Sequence, residues 1–231
     1  MQRINLFVKS QKITVCLLAV LMYGSVLCAP GFAFDDGDVQ FWSTASASFD
    51  INKDWKGKFE EEFRFGENAG TFYYNHSDLG FVYGGLAEWM DLGFNYRQVF
   101  FKDSAGEWRR ENRPHLNVTL KTKVNDFALS SRSRLEFRDR EIKKDIWVYR
   151  HKATIKLPFE LTKLKLQPYV ADEVFIDLDK SEYVANRLYS GFSLASSKRT
   201  KSDFFYMWKW GKSGGDSSYV NVIGVQLKFY F

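Results

Sequence analysis

Three histidines stand in the chain, His76, His115 and His151, and the first opens the run His76-Ser77-Asp78. A serine nucleophile needs a histidine within hydrogen-bond reach and an acid behind it. On a β-strand, however, successive side chains point to opposite faces. Ser77 then faces away from His76 and Asp78, and the three cannot cooperate locally. Ser130, Ser133 and Ser193 offer further partners for a histidine across strands, as a barrel lipase or deacylase would need, but only as candidates in number. No His/Asp/Glu grouping has the spacing of a metal site. No catalytic residue, metal or cofactor is therefore expected, and His115 and His151 read as members of hydrogen-bonded networks on strand faces.

The basic residues carry more information. Alternation gathers Arg64, Arg97, Arg132, Arg134, Arg138, Arg150 and Lys152 on one face of their segments, with Glu60, Glu62 and Glu136 among them. Lys56, Lys58, Lys121, Lys123, Lys156, Lys165, Arg187, Lys209 and Lys228 extend the set to sixteen cations. Asp78, Asp91 and Glu173 bring the acids to six. A ring of basic side chains is how pores favour anions. A narrow anion-preferring channel or uptake barrel for small acidic solutes is one reading. A plugged barrel is the alternative, because around eight strands leave room only for side chains and crossed Arg–Glu pairs fill the rest. In that case function would sit in surface loops, as in an adhesion or receptor barrel, with Gly66–Phe72, Lys102–Asn112 and Gly211–Ser217 as the candidates.

The elements that position these residues are strands. Trp55 to Phe65 (WKGKFEEEFRF) sets Trp55, Gly57, Phe59, Phe63 and Phe65 on one face, with Glu61 the exception. Lys56, Lys58, Glu60, Glu62 and Arg64 take the other. A helix would mix the two sets. The same grammar recurs in Trp89–Phe101, Pro114–Val124, Phe127–Arg138 and Asp145–Leu157, and more weakly in Tyr73–Tyr83, Leu164–Asp177, Tyr183–Ala195 and Lys201–Trp210. Asp172-Glu173 interrupts its segment, which predicts a bulge. Short connections alternate with longer polar ones. With Val39–Phe49 the candidates number eleven, whereas a single-chain bacterial barrel has an even number of strands. The expectation is an all-β, closed antiparallel transmembrane β-barrel of 10–12 strands, with short periplasmic turns and longer extracellular loops.

Both ends bear on location. The chain closes on YVNVIGVQLKFYF, alternating to a final aromatic, with Leu227, Phe229 and Phe231 on one face. A soluble domain rarely leaves such an edge, whereas a closed barrel in lipid has none. At the other end, Arg3, Lys9 and Lys12 precede the apolar run Ile13–Leu27, the pattern of a secretory signal. Cleavage is expected between Ala33 and Phe34, dividing the chain into a leader, 1–33, and one barrel domain, 34–231. Of 33 basic and 28 acidic residues, the leader holds three basic and none acidic. The remainder carries 30 against 28, so no nucleic-acid partner is expected. Cys16 and Cys28 leave with the leader, which excludes thiol chemistry.

The segments EFRF (Glu62–Phe65), NRPHLN (Asn112–Asn117), SRSRLEFRDR (Ser131–Arg140), PYVADEVF (Pro168–Phe175), NRLYSGF (Asn186–Phe192) and GVQLKFYF at the end resemble the domain-of-unknown-function family numbered 2490. The resemblance spans nearly the whole chain after the leader. It implies an outer-membrane barrel of a Gram-negative envelope, in contact with outer-membrane lipids and lipopolysaccharide. The final Phe231, with Leu227 and Phe229, also resembles the signal read by the barrel assembly machinery. The family has no established activity, so the resemblance supplies no site residues.

Overall fold

Alternating patterns become eleven strands in the computed structural model, which describes residues 36–213 and 216–231. The expected leader and its cleavage point at Ala33 and Phe34 lie outside the described residues. The strands are β1 (Val39–Asp50), β2 (Trp55–Gly66), β3 (Thr71–Ala87), β4 (Met90–Lys102), β5 (Trp108–Val124), β6 (Phe127–Arg140), β7 (Ile146–Lys156), β8 (Gln167–Asp177), β9 (Glu182–Ser197), β10 (Thr200–Ser213) and β11 (Asp216–Tyr230). Each pairs with its neighbour in sequence, and β1 pairs with β11 to close the barrel.

Closure explains the odd count. In a meander every strand reverses the one before, so the first and eleventh run the same way. Their seam must be parallel, and it is, from Val39↔Asn221 to Ser48↔Tyr230. Val39–Asp50 is thus a full wall strand, and the even count expected from barrel parity does not hold. The chain enters β1 at one end of the barrel and leaves β11 at the other. The end carrying the connections 67–70, 103–107, 141–145 and 178–181 is here the loop end. The opposite end, with Phe231, is the turn end.

The barrel is inside-out relative to a soluble domain. Phe59, Leu79, Phe81, Leu116, Leu188 and Ile223 stand exposed on the outer wall, while Glu60, His76, Asp78, Arg97, Glu136 and Glu173 are buried in the lumen. The period of two makes this division automatic once closure chooses which face is concave.

Three expectations change in detail, and one irregularity is new. The alternation of β8 runs through Asp172-Glu173 without a bulge, Asp172 facing out and Glu173 in. The irregularity lies at Phe175/Ile176 against β9. A second shift, at Arg64/Phe65 against β3, turns both Tyr73 and Tyr74 inward. Lys165 precedes β8, with a positive φ of 57°, and belongs to a connection rather than the lumen. Strands also run past the expected loop limits, so the longest connection, 157–166, is at the turn end.

Local chemistry fits these turns. The two-residue turn Asn125-Asp126 has φ of 46° and 67°, the paired positive values that match hairpin twist and suit Asn and Asp. At the loop end Glu67, Asn68 and Ala69 all have positive φ. The Asp38 carboxylate holds that turn, accepting from the Glu67 and Asn68 amides at 3.2 and 2.9 Å.

Candidate anion-binding site

The lumen is filled differently on its two sides. On the β8–β11–β1 side Trp42, Tyr169, Ala171, Tyr189, Met207, Val220 and Val222 form an apolar cluster. On the β2–β7 side the filling is charged. Arg97 donates from Nε to Asp78 at 2.8 Å and from Nη2 to Glu60 at 3.2 Å. Glu60 also meets His76 at 3.3 Å, and Asp78 lies 3.5 Å from His115.

Two carboxylates act as hubs. Glu136, with no exposed surface, lies within 2.7 Å of Arg138, 3.2 Å of Arg150, 3.6 Å of Arg134 and 3.9 Å of Arg113. Glu173 accepts from Arg150 at 2.8 Å, Arg132 at 3.0 Å, Tyr189 at 3.2 Å and Arg187 at 3.5 Å. Glu173, Met207 and Val222, near the middle of β8, β10 and β11, are at most 1% exposed, and Val99, Glu136 and Val148 are as fully buried nearer the loop end. Side chains therefore pack the middle of the lumen.

Above this packing the guanidiniums stack. Arg64 lies 3.6 Å from the centre of the Trp42 ring and 3.8 Å from that of Tyr74. Arg187 lies 5.0 Å from Trp42 on the same terms and 4.7 Å from Phe175, which also carries Arg150 at 4.5 Å. Tyr74, Arg64, Trp42, Arg187, Phe175 and Arg150 thus form one alternating ladder, contributed by β3, β2, β1, β9, β8 and β7. Each such contact contributes about 0.5–2 kcal/mol, more where water is excluded. Glu62 fixes the Arg64 end, accepting from its Nε at 2.7 Å. Gln40 fixes Trp42 and Tyr73, accepting from Nε1 at 3.0 Å and from the hydroxyl at 2.8 Å.

The ladder floors a cavity of about 730 Å³ at the loop end. Ten cationic side chains line it: Arg64, Arg97, Arg113, Arg138, Arg140, Arg150, Lys180, Arg187, Lys209 and Lys212. Only Asp177 and Glu182 are acidic. The Nε–H groups of Arg113, Arg140, Arg150 and Arg187 are buried and have no acceptor among the described residues. Lys209 faces inward from β10 with no carboxylate within 4.0 Å among the described residues, which places its ammonium among the ladder's guanidiniums.

All the lumen residues singled out from sequence, Arg64, Arg97, Arg132, Arg134, Arg138, Arg150 and Lys152 with Glu60, Glu62 and Glu136, face inward. The structure divides them. Arg64, Arg97, Arg138 and Arg150 line the cavity, whereas Arg134 and the three glutamates lie in the packing around it and Lys152 stacks on Tyr189 at 3.8 Å. Arg113, Arg140, Trp42 and Phe175 were not singled out, although each falls on the polar phase of its strand. His76 and Asp78 face inward and Ser77 outward, as alternation requires. Ser193 meets Lys156, not a histidine, at 2.9 Å. Ser133 does meet a histidine, His151 at 3.2 Å, on the outer wall.

A family model described as "Protein of unknown function (DUF2490)" matches residues 39–220. No curated protein and no solved structure matches the chain.

Proposed function

The chain belongs to that family of unknown function, and we propose that it is an outer-membrane β-barrel with a closed lumen, whose basic cup at the loop end captures small polyanionic solutes. The apolar outer wall supports the membrane reading. An 11-residue strand rising about 3.3 Å per residue and tilted by ~40° is about 28 Å tall, close to the hydrocarbon thickness. Aromatic residues near the strand ends, Trp55, Tyr83, Trp89 and Phe127 at the turn end and Trp108, Trp147 and Tyr183 at the loop end, fit the interfacial girdles.

The observation that carries the binding reading is uncompensated charge. Of the ten cations lining the cavity, Arg64, Arg97, Arg113, Arg138, Arg150 and Arg187 meet carboxylates in the packing beneath it, whereas Arg140, Lys180, Lys209 and Lys212 have no carboxylate within 4.0 Å among the described residues. Concentrating like charge away from water costs several kcal/mol per ion unless a counter-ion is present. Buried Nε–H groups with no acceptor raise that cost. An anion with several oxygens would satisfy both demands, and the ladder holds the guanidiniums in place before it arrives. The packed middle of the lumen favours capture over conduction, so the anion-channel reading gives way to the plugged one. The Ser133–His151 pair does not favour a hydrolase, because no carboxylate lies within 4.0 Å of His151 among the described residues to orient it.

The test uses the full mature barrel refolded in lipid. Planar bilayers should show no discrete conductance steps. Calorimetry should show saturable binding of inorganic tripolyphosphate, weakened tenfold or more by Lys209→Met and again by Arg187→Gln. Steps in conductance would overturn the closed lumen. Absence of binding at millimolar tripolyphosphate and citrate would overturn the cup.

A further inference from the structure

At the middle of the outer wall the apolar pattern fails in two places. Glu61 of β2 faces out among Ala45, Phe59, Phe63 and Ser77 with no basic group beside it among the described residues, and the face β6–β9 carries an imidazole and a carboxylate together. His151 is the sixth of the eleven residues of β7 and Asp172 the sixth of the eleven of β8, and both face outward. Around them Ser131, Ser133, Tyr149 and Asn186 also face out. Ser133 lies 3.2 Å from His151 Nδ1 and 3.0 Å from the Tyr149 hydroxyl, Ser131 lies 3.5 Å from His151 Nε2, and Asn186 donates to Asp172 Oδ1 at 2.7 Å. Elsewhere at this height, Glu61 apart, the wall presents Leu79, Tyr96, Leu116, Tyr206 and Ile223.

We infer that this β6–β9 face is where a second copy of the chain docks within the membrane. The inference rests on the reading that lipid surrounds the barrel, since in water the patch would need no partner. Ionisable groups at mid-depth are costly and mark functional contacts. A lipid headgroup does not account for them, because the interface lies about 15 Å away, half the hydrocarbon thickness. A second copy does. Two barrels inserted the same way are related by a two-fold axis along the membrane normal, and such an interface is self-complementary. With the axis between β7 and β8, the level positions of His151 and Asp172 bring each His151 opposite the other copy's Asp172. Asp172 Oδ2, with no hydrogen bond among the described residues, becomes the acceptor. Ala153, one step along β7 from His151, is small enough to allow the walls to meet, as small residues do at membrane interfaces.

Ala153 and Val170 face outward just below the pair, on β7 and β8, and supply the test. Two variants of the mature chain, Ala153→Cys and Val170→Cys, are co-expressed and oxidised in isolated outer membranes. A mixed disulfide dimer should form in high yield, and Asp172→Asn in both should lower that yield several-fold. Ala45→Cys, on the far wall, should stay monomeric. Cross-linking through Ala45→Cys, or of Ala153→Cys to another protein only, overturns the inference, as does a chain that fractionates with the outer membrane yet gives no dimer. A chain absent from the outer membrane refutes the membrane reading itself, and the docking face falls with it.

Discussion

Removing one carboxylate, by Glu136→Gln, tests whether the charged network holds the lumen. The amide keeps the shape and loses the charge that four arginines share at 2.7 to 3.9 Å. Breaking a buried pair by deleting one partner costs about 3–5 kcal/mol, because the remaining charge is stranded. Glu136 has no exposed surface, so water cannot take its place. For a chain of this size each kcal/mol moves the melting midpoint by about 2–4 °C, so a loss of roughly 6–20 °C is expected. Urea unfolding in detergent micelles, followed by tryptophan emission, reads the change. The variant also removes a negative charge beneath the cup and leaves its arginines less compensated, so tripolyphosphate should stabilise it more than the parent. At 100 times its dissociation constant a ligand contributes about 2.7 kcal/mol. An unfolding midpoint within about 0.5 kcal/mol of the parent, against the 3–5 expected, would mean that the guanidiniums are solvated and the hub reading is wrong.

Four further outcomes follow from the same geometry. Trp42→Leu removes the ring shared by Arg64 and Arg187, and should cost about 2–4 kcal/mol and weaken tripolyphosphate binding, with Trp42→Phe restoring part of both in the same assays. Asp38→Ala frees the Glu67 and Asn68 amides, costs about 1–3 kcal/mol locally, and should appear as faster proteolysis at residues 67–70. The Asp103 carboxyl titrates below the usual carboxylate range, first because Arg109 donates to it. Its contribution is complete above the ordinary value and disappears as pH falls through the lowered one, so Asp103→Asn should remove the acid-induced loosening of residues 103–107 seen by hydrogen exchange. Gly191→Ala would set a Cβ 2.3 Å from the Phe204 carbonyl and should collapse refolding yield, whereas Gly84→Ala, whose nearest neighbour is 3.4 Å away, should refold normally.

How much of this was legible before the fold? Period-two patterning gave every wall strand, and with it the inward phase of Arg97, Arg134, Glu136 and Arg150, because closure adds only a choice of concave face. Parity misled, since it assumes an antiparallel seam, and nothing local in Val39–Phe49 says what lies beside it. The interruption at Asp172-Glu173 was visible, but its reason was not. Asp172 keeps the phase of the strand and is polar on the outer wall, so patterning mistook a surface feature for a backbone one. The cup was legible only as an excess of charge. Its ladder joins residues from six strands: Arg64 lies opposite Trp42 and Tyr74, and Arg150 opposite Phe175, in the pairing of adjacent strands, but the Arg187–Trp42 contact joins β9 to β1, which no spacing in the chain announces.

The seam ties closure to the cup. β1 and β11 are the wall neighbours furthest apart in sequence, and such contacts form only after long loop closure has been offset by other pairings. Trp42, the central ring of the ladder, lies on β1 and pairs with Gly224 across that seam. Until β1 docks, Arg64 and Arg187 have no shared ring, and the carboxylates of the β2–β7 side face an open lumen. Closing the wall and completing the cup are therefore one step. An anion held by the finished ladder binds the closed barrel and not the open sheet, so by mass action it favours closure. The same strand that breaks barrel parity thus supplies the part of the lumen on which the proposed anion capture depends.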